Sequence, residues 1–161
     1  MPMPFNADEV FEMAEQIERN GARFYRAAAD KFPEVNQLLL ELAAMEDKHE
    51  KTFAAMRAEL SGTEAEPLVF DPDGQAQLYL QAMADEHIFN IKSDPVNQLG
   101  NLETPDEVLK TAMGLERDSI AFYAGLKESV SRRAGKDKID AIIKEEINHI
   151  AILSQKMEAF K

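Results

Sequence analysis

Four stretches of this chain place seam residues at alternating spacings of three and four, and a glutamate interrupts every seam midway. The first runs Phe11, Ala14, Glu18, Gly21, Tyr25, Ala28, Phe32, and the second Leu39, Leu42, Glu46, His49, Phe53, Met56, Leu60. The third is Leu109, Ala112, Glu116, Ser119, Tyr123, Leu126, Val130, and the fourth Ile139, Ile142, Glu146, His149, Leu153, Lys156, Phe160. A 3,4 alternation marks the narrow buried seam of a left-handed helical bundle. Four of them predict an all-α antiparallel four-helix bundle in which one layer is polar in every helix.

Helix boundaries follow from caps and breakers. Asn6 is a good N-cap for a helix over about 6–31 that Pro33 interrupts, and a second helix runs over about 34–60 to Ser61-Gly62. Thr104-Pro105-Asp106-Glu107 reads as a capping box with proline at the first helical position, opening a helix over about 105–131. The polar turn Arg132 to Asp137 precedes a last helix over about 137–160. The connections inside each pair are short, so each pair packs as an antiparallel hairpin. Between the pairs lies a long crossover in which a shorter helix, about 74–92, carries Leu78, Leu80, Met83, Ile88 and Phe89. The whole of 1–161 reads as a single domain.

The halves look duplicated. Glu18-Arg19-Asn20-Gly21-Ala22-Arg23-Phe24-Tyr25 matches Glu116-Arg117-Asp118-Ser119-Ile120-Ala121-Phe122-Tyr123 at Glu, Arg, Phe and Tyr, and Glu46-Asp47-Lys48-His49 repeats as Glu146-Ile147-Asn148-His149. Two hairpins related by a pseudo-twofold axis are expected.

Composition narrows the chemistry of the polar layer. The chain has no cysteine, which removes disulfides, iron-sulfur clusters and thiolate zinc sites. Its net charge of -12 argues against nucleic acid and in favour of cations as guests. Residues 1–9 lack a basic and apolar leader pattern and no later run is long enough to cross a membrane, so a soluble, cytoplasmic protein is expected.

Each Glu-x-x-His sets two ligands on adjacent positions of one helix face, about 5–6 Å apart at Cβ, which suits one metal ion. A lone pair of this kind is ordinarily a solvated surface pair. Here all six residues, Glu18, Glu46, His49, Glu116, Glu146 and His149, fall on otherwise apolar seams. Buried carboxylates without partners are costly, and no seam lysine or arginine lies in that layer. Two divalent cations would balance four carboxylates and leave both imidazoles neutral. Oxygen and nitrogen ligands without thiolate suit iron or manganese and also admit zinc; iron is the reading adopted.

The paired Glu-x6-Tyr and Glu-x-x-His motifs over all four long helices resemble the rubrerythrin branch of the ferritin-like superfamily, and are similar to those of bacterioferritin. The resemblance implies a ferritin-like bundle with a carboxylate-bridged pair of irons, where a Glu from each of two helices joins Glu-x-x-His from each of the other two. It implies Glu46 and Glu146 as bridges, Glu18 and Glu116 as terminal ligands, and one histidine on each metal. Two departures from rubrerythrin stand out. There is no cysteine-ligated rubredoxin module, and Ser119 and His149 occupy places where carboxylates are expected, so the ligand set is closer to a symmetric ferroxidase centre.

Around the site, Tyr25 and Tyr123 each follow a terminal Glu by seven residues, and their hydroxyls are expected to hydrogen-bond ligand carboxylates. Asp85, Glu86 and His87 in the crossover helix read as its solvated acidic face. The function expected is that of a non-haem di-iron oxidoreductase reacting with O2 or H2O2 and an electron donor of unknown identity. The alternative is an iron-binding, storage or sensing protein without sustained turnover; a zinc-stapled structural bundle ranks last. The family resemblance also suggests a homodimer.

Overall fold

The structure, a computed structural model, describes residues 6–60, 73–92, 95–130 and 135–161; for 84–92 and 95 it describes the backbone alone. Helix α1 spans Ala7–Lys31, α2 Asn36–Ala58, α3 Gln75–Lys92, α4 Pro105–Ser129 and α5 Lys136–Glu158, with 3-10 turns at Pro33–Val35 and Pro95–Leu99. The four long helices form the expected bundle, and no strand occurs among the described residues.

Local chemistry explains the ends. Asn6 accepts from the Glu9 amide at 2.8 Å while the Glu9 carboxylate accepts from the Asn6 amide at 3.0 Å, closing a reciprocal capping box on α1. At the other end Pro33 forces Phe32 out of the helical region (φ −123°), and the 3-10 turn that follows delays α2 to Asn36, two residues later than expected. Thr104 caps α4 through the Glu107 amide at 3.2 Å, but Glu107 reaches back to the Glu103 amide at 2.7 Å rather than to Thr104. The expected box is therefore half-formed and shifted by one residue. Helix α4 ends at Ser129, short of the expected 131, and the stop expected at Ser61-Gly62 and the first half of the turn from Arg132 lie outside the described residues. Gly135 starts α5 at φ 111°, a conformation that favours glycine, and a Cβ there would also lie 2.5 Å from Met56 Cε.

The seams close on one another as two apolar clusters, one on each side of the polar layer. Phe24, Tyr25, Ala28, Leu39, Leu42, Leu109, Ala112 and Leu153 fill one. Val10, Phe11, Ala14, Phe53, Phe122, Tyr123, Leu126, Ile139 and Ile142 fill the other. Burying a large apolar side chain contributes about 1.5–3 kcal/mol, so these clusters carry the bundle. The seams fray at their far ends: Leu60 and Lys156 are only half-buried, and Phe160, beyond the end of α5, is 41% exposed.

Contacts across the bundle fix its direction. On α1 and α4, Tyr25 meets Glu116 and Glu18 meets Tyr123, so seven residues forward on one helix match seven back on the other. On α2 and α5, His49 faces Glu146 and Glu46 faces His149. Both pairs run antiparallel. Helix α2 and helix α4 therefore point the same way, and the connection between them must travel the length of the bundle. Its described segments, α3 and the second 3-10 turn, lie against α4 and α1. The Lys31 ammonium donates to the Leu99 carbonyl at 2.6 Å, tying the second 3-10 turn to α1. On the other side, α3 buries Leu80 in the core and lays the Tyr79 ring on Gly125 of α4, with the Tyr79 hydroxyl donating to the Ala121 carbonyl at 2.5 Å. Of the remaining apolar residues expected on α3, Met83 is half-buried and Leu78 is 67% exposed; the side chains of Asp85, Glu86, His87, Ile88 and Phe89 lie outside the described residues.

Two glycines of α4 should respond oppositely to the same substitution. A Cβ at Gly125 would lie 2.3 Å from the Tyr79 ring, whereas one at Gly114 would meet nothing within 4 Å. Urea unfolding should show Gly125→Ala destabilising by about 1–3 kcal/mol through overpacking. Gly114→Ala should stabilise by about 0.5–1 kcal/mol through helix propensity.

Candidate metal centre

Between the two apolar clusters the four helices bring Glu18, Glu46, His49, Glu116, Glu146 and His149 into one layer, each at most 4% exposed. The heptad position places each of them, since a seam residue points at the bundle axis whatever its polarity. Glu18 comes from α1, Glu46 and His49 from α2, Glu116 from α4, and Glu146 and His149 from α5. Their donor atoms form two overlapping groups, Glu18–Glu46–His49–Glu146 and Glu46–Glu116–Glu146–His149, each with one atom per residue lying within 4.8 Å of all the others. Glu46 and Glu146 belong to both groups.

Hydrogen bonding leaves this layer unsatisfied. Glu18 Oε2, Glu116 Oε2, both oxygens of Glu146, His49 Nδ1 and both nitrogens of His149 are buried without a hydrogen-bond partner among the described residues. Proximity alone does not satisfy them: His49 Nδ1 is 2.8 Å from Glu146 Oε1 and 3.5 Å from Glu18 Oε2, yet without hydrogen-bond alignment. His149 Nδ1 similarly stands 3.3 Å from Glu116 Oε1 and 3.8 Å from Glu46 Oε1. The two imidazoles stack with ring centroids 5.8 Å apart. No lysine or arginine pairs with any of the four carboxylates among the described residues. A set of converging buried oxygens and nitrogens with free lone pairs and no counter-charge is what a metal ion satisfies, and these residues fit a pair of ions.

The tyrosines hold the edge of the layer. Tyr25 donates to Glu116 Oε1 at 2.5 Å and Tyr123 donates to Glu18 Oε1 at 2.7 Å. Each therefore bonds the glutamate of the other hairpin, not the one seven residues back on its own helix. Burial, then the charge of the bonded glutamate, pushes both phenols well above their ordinary range, which keeps them protonated as donors.

One contact falls outside the six seam residues. Glu145 Oε2 hydrogen-bonds the outer nitrogen of His49, Nε2, leaving Nδ1 facing the carboxylates. Glu145 immediately precedes the second Glu-x-x-His and has a 41% exposed side chain, so seam spacing does not single it out; the Glu145-Glu146 pair in the sequence is the trace it leaves. Ser119, by contrast, turns its hydroxyl to the Leu115 carbonyl at 3.0 Å. Gly21, its counterpart on α1, leaves ordinary contact distance to the Glu46 side chain, with Cδ 3.4 Å from where a Cβ would be.

Without metal, burial and neighbouring charges shift the titration of groups in the layer. Burial, and then the charge of Glu18, raises Glu46 and Glu146 well above the ordinary carboxylate value of 4.5. Burial also pushes on Glu116, but the neighbouring Glu146, His149 and Tyr25 outweigh it and hold that carboxyl at about 2. His49 loses to burial but gains more from Glu18 and Glu145, and ends above 6.5. Between pH 5 and 8 the signs agree. Glu46, Glu146 and His49 all have raised folded-state values, so their contributions are present at low pH and lost as pH rises through those values. Metal-free protein should therefore lose stability from pH 5.5 to pH 8 in urea titrations. Zn(II) at about 100 times its dissociation constant should restore about 2.7 kcal/mol per site at the higher pH.

A family model described as rubrerythrin matches residues 9–157. Comparison with curated proteins finds no match. Among solved structures, a Thermotoga maritima protein described as a ferritin-like diiron-carboxylate protein superposes with a TM-score of 0.71 at 22% identity, covering 100% of both chains, a likeness of fold. With all but the outermost residues of its four bundle helices inside the matched span, the chain belongs to the rubrerythrin family.

Proposed function

We propose that the centre binds two iron ions and that the protein is a non-haem di-iron oxidoreductase acting on O2 or H2O2. The observation that carries this reading is the buried quartet of carboxylates and two imidazoles, sorted into two ligand groups that share Glu46 and Glu146. Family membership supports iron, as does the donor set, which offers oxygen and nitrogen but no thiolate. The diiron-carboxylate description of the Thermotoga protein of similar fold points the same way.

A bound Fe(II) pair would supply two electrons at one place, enough to take O2 to peroxide or, with two protons, H2O2 to two waters. The chain's own residues prepare that place. Tyr25 and Tyr123 donate to one oxygen each of Glu116 and Glu18, which leaves Oε2 of each glutamate as the free ligand atom. Glu145 holds the ring of His49 in one orientation. Phe53 and Tyr123 pack at 5.0 Å between centroids on one side, and Tyr25 with Phe24 at 5.8 Å on the other, so bulk water is kept from the layer. Re-reduction needs an electron donor outside these 161 residues, because they contain no cysteine to hold an iron-sulfur or rubredoxin-type site.

Anaerobic Fe(II) titration of metal-free protein should reach two irons per chain, and O2 or H2O2 should then oxidise the bound iron with new near-ultraviolet absorption. Glu46→Ala removes a ligand common to both groups and should slow oxidation at least about a hundredfold; wild-type rates in this variant would sink the proposal. Repeated cycles with an added reductant mark an oxidoreductase, whereas one stoichiometric oxidation with retained Fe(III) marks storage or sensing.

A further inference from the structure

The duplicated halves suggest two equivalent metal positions, yet the two histidines are not equivalently held. His49 has its outer nitrogen bonded by Glu145, whereas both nitrogens of His149 are buried without a partner among the described residues. The reason lies one residue before each Glu-x-x-His. Helices α2 and α5 run antiparallel with His49 against Glu146 and His149 against Glu46, so the pseudo-twofold exchanges position 145 with position 45. Position 145 is glutamate; position 45 is methionine, which cannot accept a strong hydrogen bond from an imidazole.

This difference bears on metal affinity through the tautomer. In both rings Nδ1 faces the carboxylates, 2.8 Å from Glu146 for His49 and 3.3 Å from Glu116 for His149. A neutral imidazole that offers Nδ1 to a cation must carry its proton on Nε2. For His49 that proton points at Glu145, so the ligating tautomer is favoured before any ion arrives, and the carboxylate makes the ring more basic. For His149 the same tautomer buries an N–H that meets no acceptor among the described residues, an arrangement that opposes binding.

We propose, on the reading of this layer as a site for two divalent cations, that the two positions fill in order. The ion ligated by Glu18, Glu46, His49 and Glu146 binds first and more tightly, with Glu145 as the positioning residue, and the ion on the His149 side is the weaker and more readily exchanged. Loss of a carboxylate that orients a ligating histidine costs about 10- to 100-fold in metal affinity, so the two dissociation constants should differ by about that factor.

Calorimetric titration of metal-free protein with Co(II) tests this without reference to turnover. Wild type should bind in two resolved steps. His149→Ala should keep the tight step and His49→Ala only the weak one. Glu145→Ala, at a side chain already 41% exposed and so compatible with folding, should weaken the tight step about 10- to 100-fold while leaving the other in place. Met45→Glu should tighten the weak step by giving His149 an acceptor. Two steps of equal affinity, or a Glu145→Ala protein with both constants unchanged, would overturn the ordered filling while leaving the two-metal reading intact. Failure of the wild type to bind Co(II) at all would instead overturn the metal reading, and the ordering with it.

Discussion

Taking four carboxyl groups out of water in a single layer of a helical bundle is the arrangement on which everything else in this molecule depends. Glu18, Glu46, Glu116 and Glu146 are all buried, and among the described residues their only basic neighbours are two imidazoles. Such a layer is unfavourable in a protein held together by apolar seams, and it persists because the seams above and below are long and well filled. In metal-free protein, burial and then the charge of Glu18 favour the protonated forms of Glu46 and Glu146. A cation therefore competes with protons at the two shared carboxylates, which couples metal affinity to pH as well as to folding.

The bundle's topology and the site's hydrogen bonds are two views of one constraint. Because α1 and α4 run antiparallel at matched register, Tyr25 reaches Glu116 and Tyr123 reaches Glu18, and each bond joins one hairpin to the other. The same directionality obliges the connection from α2 to α4 to traverse the bundle, and its described segments lie against α1 and α4, the helices those bonds join. Leu99 and Lys31 fasten it to α1, Tyr79 and Leu80 to α4. Described segments of the crossover thus cover the α1–α4 half of the site, where Leu99 shares a core cluster with Phe24 and Leu80 one with Phe122, two residues that lie off the seams.

What was legible in the sequence tracks seam geometry closely. A residue's place in a 3,4 pattern determines that it points inward, so Glu18, Glu46, His49, Glu116, Glu146 and His149 could be named together without knowing how the helices are arranged. The partners of the tyrosines could not be assigned the same way: whether Tyr25 turns to Glu18 or to Glu116 depends on the direction of a helix some ninety residues away, and only the assembled bundle decides it. Glu145 escaped because it lies beside the seam and reaches in from a partly exposed position. The ends of the seams misled in the opposite sense. Phe160 continues the pattern but lies past the last turn of α5, where it is 41% exposed in an open hollow beside Thr104, Pro105 and Lys110 at the start of α4.

The pairing of two similar hairpins has a consequence for how such a centre can change. Two separate copies of one hairpin meeting on a true twofold axis would carry every substitution twice, so a glutamate placed to hold one histidine would hold the other as well. Joined in a single chain, the copies are free to drift apart one residue at a time. Glu145 and Met45 are such a divergence, set beside a ligand layer that has stayed symmetric in its six members. Covalent fusion of the halves is therefore what lets one cation's surroundings be altered while its neighbour's are left alone.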